Sequence, residues 1–135
     1  MKSKRRFQRN IDELQGIFNF LYIRWGEFQV RERDQLDMEL SVEEIFMNMI
    51  RHNRAGPASD IEVTIEKTDR EITLSLSDYE DVPFDITQTE EVDFDDYIKN
   101  QRSGGLGIHL VKKLMDEVKF EHNHGISTIT ISKHI

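Results

Sequence analysis

Apolar residues in the first part of the chain recur every three or four positions. Ile11, Leu14, Phe18, Leu21 and Trp25 share one face if residues 8–27 are helical, and Gly26 weakens the pattern near its end. A second helix is predicted from about Asp34 to Asn53, with Asp34 as N-cap and Leu36, Leu40, Ile45, Met49 and Ile50 as its buried stripe. Gly56-Pro57 stops it. The period then falls to two. Ile61, Val63 and Ile65 alternate with polar residues, as do Ile72, Leu74 and Leu76, and the short polar turn Lys67–Arg70 makes these a hairpin. No period holds from Tyr79 to Ser103. Within that stretch Asp85–Asp96 carries six acids and no base, and a short helix over Phe94–Asn100 fits. So long an aperiodic segment in a compact domain suits a lid or a binding loop. A third helix is predicted from the glycines near residue 104 to about Val118, with Leu110, Val111, Leu114, Met115 and Val118 inward. Two closing strands follow, Val118–Glu121 and Ser127–Ser132, joined through Asn123-His124-Gly125.

There is no internal repeat and no composition break, so residues 1–135 read as one domain. Helices, hairpin, loop, helix, hairpin is the order of an α+β protein: a two-layer α/β sandwich with helices on one face of a mostly antiparallel mixed sheet. Hydrophobic residues at 37% and charged residues at 33% fit an ordinary globular core rather than disorder. With no cysteine, disulfides and thiolate metal sites are excluded. No apolar run approaches the roughly 18 residues of a membrane span, and no signal-type segment follows the basic Lys2–Arg6 opening, so a cytoplasmic protein is expected. The net charge of −8 argues against nucleic acid as a partner, since phosphate backbones need a basic footprint. It fits either plain solubility or docking to a basic protein.

Two features carry candidate chemistry. Ser103-Gly104-Gly105-Leu106-Gly107-Ile108 packs three glycines into four residues directly before a helix. Such a segment lets backbone approach a ligand and offers unpaired N–H groups to phosphate. It is also what a tight turn before a packed helix requires. No Gly-Lys-Ser/Thr follows, so it is not a P-loop, and it does not open a βαβ dinucleotide unit. Glu44 and Asn48 stand one turn apart on the second helix, and His52 continues the row. A carboxylate beside an amide oxygen suits Mg²⁺, and Glu44 can alternatively serve as a general base. An ordinary solvated helix edge can carry the same residues. Asp78, ending a hairpin strand, can accept the exocyclic amine of adenine, and Arg102 beside the glycines can reach a phosphate. Lys112 and His109 read as surface or structural, and His122 with His124 is a weak metal signal without a third ligand.

Together these residues resemble the GHKL (Bergerat-fold) ATPases, with the anti-sigma factor serine/threonine kinases as the nearest subgroup. Val42–His52 resembles the family's N-box, and Gly104–Val111 its G2 box with the helix that follows. The resemblance implies Glu44 as general base and Asn48 as Mg²⁺ ligand. It implies ATP or ADP contacts from Asn48, His52, Asp78, Arg102, Gly104, Gly105, Leu106 and Gly107, and from Thr128 near the adenine. Residues 86–103 would form a lid over nucleotide held between helices and sheet. By the same resemblance the protein partners are a sigma factor and a small antagonist phosphorylated on serine, with a homodimer as the common assembly. One motif departs. The family's G1 box pairs an Asp with a Gly ahead of Pro-Phe-Asp. Pro83-Phe84-Asp85 is present, but Asp78-Tyr79-Glu80-Asp81 has no glycine, and an ungapped match places Tyr79 at the aspartate position. The departure leaves a second expectation: an interaction module of the same fold with weakened catalysis.

Overall fold

The computed structural model describes residues 1–52, 60–79 and 105–135, with His52, Gly105 and Leu106 described by backbone alone. It opens on a strand, β1 (Lys2–Phe7), that the sequence pattern does not predict. Asn10 then caps a 3-10 turn at Ile11–Glu13, its side chain accepting the Asp12 N–H at 2.9 Å. That cap is why α1 (Leu14–Phe28) starts later than the expected residue 8. It ends at Gln29, whose positive φ of 55° turns the chain while the Val30 N–H returns to Trp25 O at 3.0 Å. Helix α2 (Glu32–His52) begins two residues ahead of the expected cap. Asp34 instead sits in its first turn, buried, paired with Arg31 at 3.0 Å.

The hairpin strands are β2 (Ile61–Lys67) and β3 (Glu71–Tyr79), each longer than the alternating run that marks it. Helix α3 (Gly105–Leu114) stops four residues short of Val118, because that residue belongs to β4 (Glu117–Asn123). Strand β5 (Ile126–His134) closes the chain. The sheet order is β1-β2-β3-β5-β4, and every pairing among the described residues is antiparallel. The expected helix over 94–100 and the expected lid lie outside the described residues.

One sheet face carries Ile61, Val63, Ile65, Ile72, Leu74, Leu76, Ile129 and Ile131, all buried against the helices. From the helix side come Ile17, Leu21 and Trp25 of α1, Met38, Val42, Ile45 and Phe46 of α2, and Ile108 and Val111 of α3. The two-layer α+β arrangement is therefore as predicted, but part of the stripe is not. Leu36, Leu40, Leu110 and Ile11 are exposed, because the sheet lies under the neighbouring phase of each element. The other sheet face shows half-exposed polar residues such as Thr64, Ser75, Ser77, Thr128 and Thr130. Two lysines tie the layers together at helix ends. Lys67 Nζ donates to Phe28 O at 2.5 Å, and Lys133 Nζ to Leu114 O at 2.6 Å and to Asp37 at 2.5 Å. A cation on the last carbonyls of a helix also complements its dipole.

Candidate active site

The two candidate motifs meet where α2 crosses the first turn of α3. A Cβ placed on Gly107 would lie 1.9 Å from Glu44 Oε2 and 2.4 Å from Glu44 Cδ. The carboxylate therefore occupies the space that any side chain at position 107 would take. This explains one of the three glycines by packing, in ordinary helical backbone, rather than by turn geometry. It also sets a negative charge at the N-terminal turn of a helix, where the helix dipole favours it.

Asn48 follows one turn along α2 and is 2% exposed. Its amide nitrogen donates to Glu44 O at 3.3 Å, which leaves the amide oxygen as the atom available to a cation. His52 is the last residue of α2, so the Glu44–Asn48–His52 row is continuous in backbone. Asp78 is buried on β3, with a neighbour the sequence did not suggest. Arg9, from the link between β1 and the 3-10 turn, forms an ion pair with its Oδ2, and Arg9 Nη1 donates to Met49 O at 2.8 Å. One guanidinium thus joins the residue after Asn48 to the carboxylate at the end of the sheet.

Register decides what lies beside Asp78. Asp78 faces Ser127 across β3 and β5, and Ser127 faces His122 across β5 and β4, with His122 Nδ1 and Ser127 Oγ 2.9 Å apart. These three share the helix-facing side of the sheet. Thr128, one residue on, points to the other side, where its hydroxyl meets Ser77 Oγ at 2.9 Å. The fold thus does not bring Thr128 together with Asp78; the hydroxyl on that side is Ser127. Parity was the available signal, since Ile129 and Ile131 are the buried residues of β5 and Ser127 shares their phase. Arg9 had no such signal. Tyr79 lies over Gly125, where a Cβ would come within 2.7 Å of its ring and φ is +78°. His124 stands exposed in the same turn, with a φ of 54°, and among the described residues no group of three His, Cys, Asp or Glu that could hold a metal includes either His122 or His124. Lys112 is exposed, as expected. Arg102, Gly104 and the segment Glu80–Asp81 lie outside the described residues.

The donor set fits Mg²⁺. Among the described residues no cluster of three His, Asp, Glu or Cys side chains is placed to hold a metal. Mg²⁺ does not need one, because it keeps several waters and takes one or two protein oxygens together with phosphate oxygens. A buried amide oxygen one turn from a carboxylate, beside a helix start, provides that.

The family model described as "Histidine kinase-like ATPase domain" matches residues 21–133, and the chain belongs to that family. Within it, the chain is similar to anti-sigma kinase-like proteins. It is 30% identical over 99 residues to the serine-protein kinase RsbW of Listeria monocytogenes, covering 69% of this chain and 62% of that protein. It is 31% identical over 105 residues to RsbW of Staphylococcus aureus, covering 73% and 65%. The match therefore spans less than two thirds of the length of these relatives. The RsbU and RsbW domains of Rv1364c from Mycobacterium tuberculosis share the fold with a TM-score of 0.68 at 16% identity, over 98% of this chain and 32% of that one. A chain of the SiaB-SiaC complex from Pseudomonas aeruginosa does so with a TM-score of 0.61 at 16% identity, over 98% and 89%.

Proposed function

We propose that the protein is an ATP-dependent serine/threonine protein kinase of the anti-sigma type, acting on a protein partner in transcription control. The observation that carries this reading is the lodging of Glu44 against Gly107, with Asn48 buried one turn away. It brings the carboxylate proposed as base, the amide proposed as cation ligand and the helix start proposed to receive phosphate to one junction. In the reaction the Glu44 carboxylate takes the proton of a serine hydroxyl while that oxygen attacks the γ-phosphorus. The bond to the bridging oxygen breaks and ADP leaves. Mg²⁺, held by Asn48, would neutralise phosphate charge. The glycine segment, including Gly104, Gly105 and Leu106, would offer backbone N–H groups to phosphate oxygens, with Arg102 beside it. Phosphoryl transfer asks mainly for such positioning and neutralisation.

A protein substrate is supported by the serine-protein kinase relatives and by the structural relative found in a two-protein complex. Sigma factor and a small antagonist are the partner classes proposed, in a cytoplasmic setting. None of the described helices is long and apolar enough to cross a membrane. The test is incubation with labelled ATP, Mg²⁺ and a candidate antagonist, followed by phosphoserine mapping. Transfer that disappears in Glu44→Gln supports the assignment, while equal transfer by the variant removes Glu44 from its role.

A further inference from the structure

Lys2, Lys4, Arg5 and Arg6 all fall within the 6 residues of β1, with no acid among them, in a chain of 26 acids and net charge −8. Among the described residues only β2 pairs with β1, so the other side of β1 is a sheet edge. The ladder decides which groups face that edge. The Lys67 N–H donates to Met1 O at 2.8 Å and the Met1 amine donates to Lys67 O at 3.3 Å, so these two form a hydrogen-bonded pair. Hydrogen-bonded and non-hydrogen-bonded pairs alternate along an antiparallel ladder. Ser3, Arg5 and Phe7 therefore turn their backbone N–H and C=O toward β2, and Lys2, Lys4 and Arg6 turn theirs outward. Phe7 is buried on the helix side, so the side chains of Lys2, Lys4 and Arg6 lie on the opposite, polar face, across from Glu66, Thr64 and Glu62. All three cations are exposed.

We infer that β1 docks an extended acidic segment of a partner protein by strand addition, with carboxylates at alternate residues set opposite Lys2, Lys4 and Arg6. In this mode main-chain bonds to the edge give affinity and alternate side chains give specificity. Opposite charges directly across a ladder attract, and like charges repel. A second copy paired through the same edge about a two-fold at Lys4 would set Lys4 against its own copy and Lys2 against the copy of Arg6, so self-pairing is disfavoured. Nucleic acid fits less well, because Glu62 and Glu66 occupy the next row on that face, with Glu62 Oε2 3.4 Å from Arg6 Nε. A strand added outside β1 lies two ladder spacings from those acids, about 10 Å, with the cations between. Lysine on an edge guards against aggregation, and here the same charges admit the one kind of strand that complements them. The inference makes no use of the nucleotide site, so each reading stands or falls alone.

Fluorescence anisotropy with the nucleotide-free full chain tests this, using labelled, terminally blocked peptides of alternating Glu and Val, of the same composition with the Glu residues contiguous, and of alternating Lys and Val. The alternating Glu peptide should bind, and the contiguous isomer about tenfold more weakly. A folded triple variant, Lys2→Glu with Lys4→Glu and Arg6→Glu, should lose about tenfold for the Glu peptide and take up the Lys peptide instead. Exchange of the Lys4 and Arg6 amide hydrogens should slow about tenfold or more in the complex, since strand addition covers them. If circular dichroism shows the triple variant unfolded, Lys4→Glu and the exchange measurement decide. Absence of wild-type binding, equal affinity for the two Glu isomers, unchanged binding by a folded variant, or unprotected amides overturns the inference. So does single-stranded RNA that displaces the peptide at lower concentration, or a wild-type dimer in sedimentation that the triple variant dissolves, which would give the edge to a second copy.

Discussion

Gly107→Ala separates packing from chemistry. A Cβ at this position overlaps Glu44 Oε2 at 1.9 Å and Cδ at 2.4 Å, and meets Cγ at 3.1 Å. All three belong to a flexible side chain and none to backbone, so the helix stays and the carboxylate moves. Two small terms then oppose each other. Alanine in place of glycine inside a helix favours folding by about 0.8–1 kcal/mol. Glu44 loses its place at the start of α3, a loss of about 0.3–1 kcal/mol. Urea denaturation should therefore find the variant within about 1 kcal/mol of wild type. The proposed phosphoryl transfer, with Glu44 as its base, has no such compensation. A positioned general base contributes about 10²–10⁴-fold, so phosphoryl transfer should fall by about that factor. The assay pairs the denaturation curve with the rate of ADP release from Mg-ATP in the presence of the protein substrate. Normal stability with a transfer rate within about threefold of wild type would refute the argument, because the contact would then have no part in the reaction.

Other consequences concern the scaffold and the register. A methyl group added at Gly26 in α1 would meet nothing within 4 Å, so Gly26→Ala should raise stability by about 0.5–1 kcal/mol and leave nucleotide binding alone; a loss of stability in denaturation would contradict this. Lys133→Met removes the bonds to Asp37 and Leu114 O, and should cost about 1–3 kcal/mol by denaturant titration, a change under about 0.5 kcal/mol being the contrary result. Because Ser127 and Thr128 face opposite sides of the sheet, Thr128→Val should leave the thermal shift induced by Mg-ATP intact, while Ser127→Val should reduce it. The reverse order would show that the nucleotide does not lie on the helix side.

What could be read from the chain depended on how local its cause was. Strands β2, β3 and β5 alternate through their central residues, where Ile61, Val63, Ile65, Ile72, Leu74, Leu76, Ile129 and Ile131 are buried, so both hairpins were legible; the buried polar residues Asp78, Ser127 and Ser132 lie nearer the strand ends. The N-box row and the glycines before α3 were legible as chemistry, though not that Gly107 exists to admit Glu44. Strand β1 was not, because Lys2–Arg6 contains no apolar residue and only Phe7 reaches the core. It is an edge strand made by pairing with β2, with Arg6 and Glu62 3.4 Å apart across the ladder, and charge is what such an edge tolerates. Leu36 and Leu40 show the limit of periodicity: a helix with apolar residues on two sides leaves the sheet to choose between them, and it chose Met38, Val42 and Ile45. The Arg9–Asp78 pair joins residues 69 positions apart, and nothing near either of them announces the other.

The central claim is that the buried amide of Asn48 and the start of α3 serve one nucleotide. Calorimetric titration of Mg-ATP into wild type and Asn48→Ala, with stability of both proteins checked, tests it most directly. The account predicts binding by the wild type and a loss of about 10–100-fold in the variant, of the size seen when groups that support a metal site are removed. Equal affinities in the two folded proteins would contradict it.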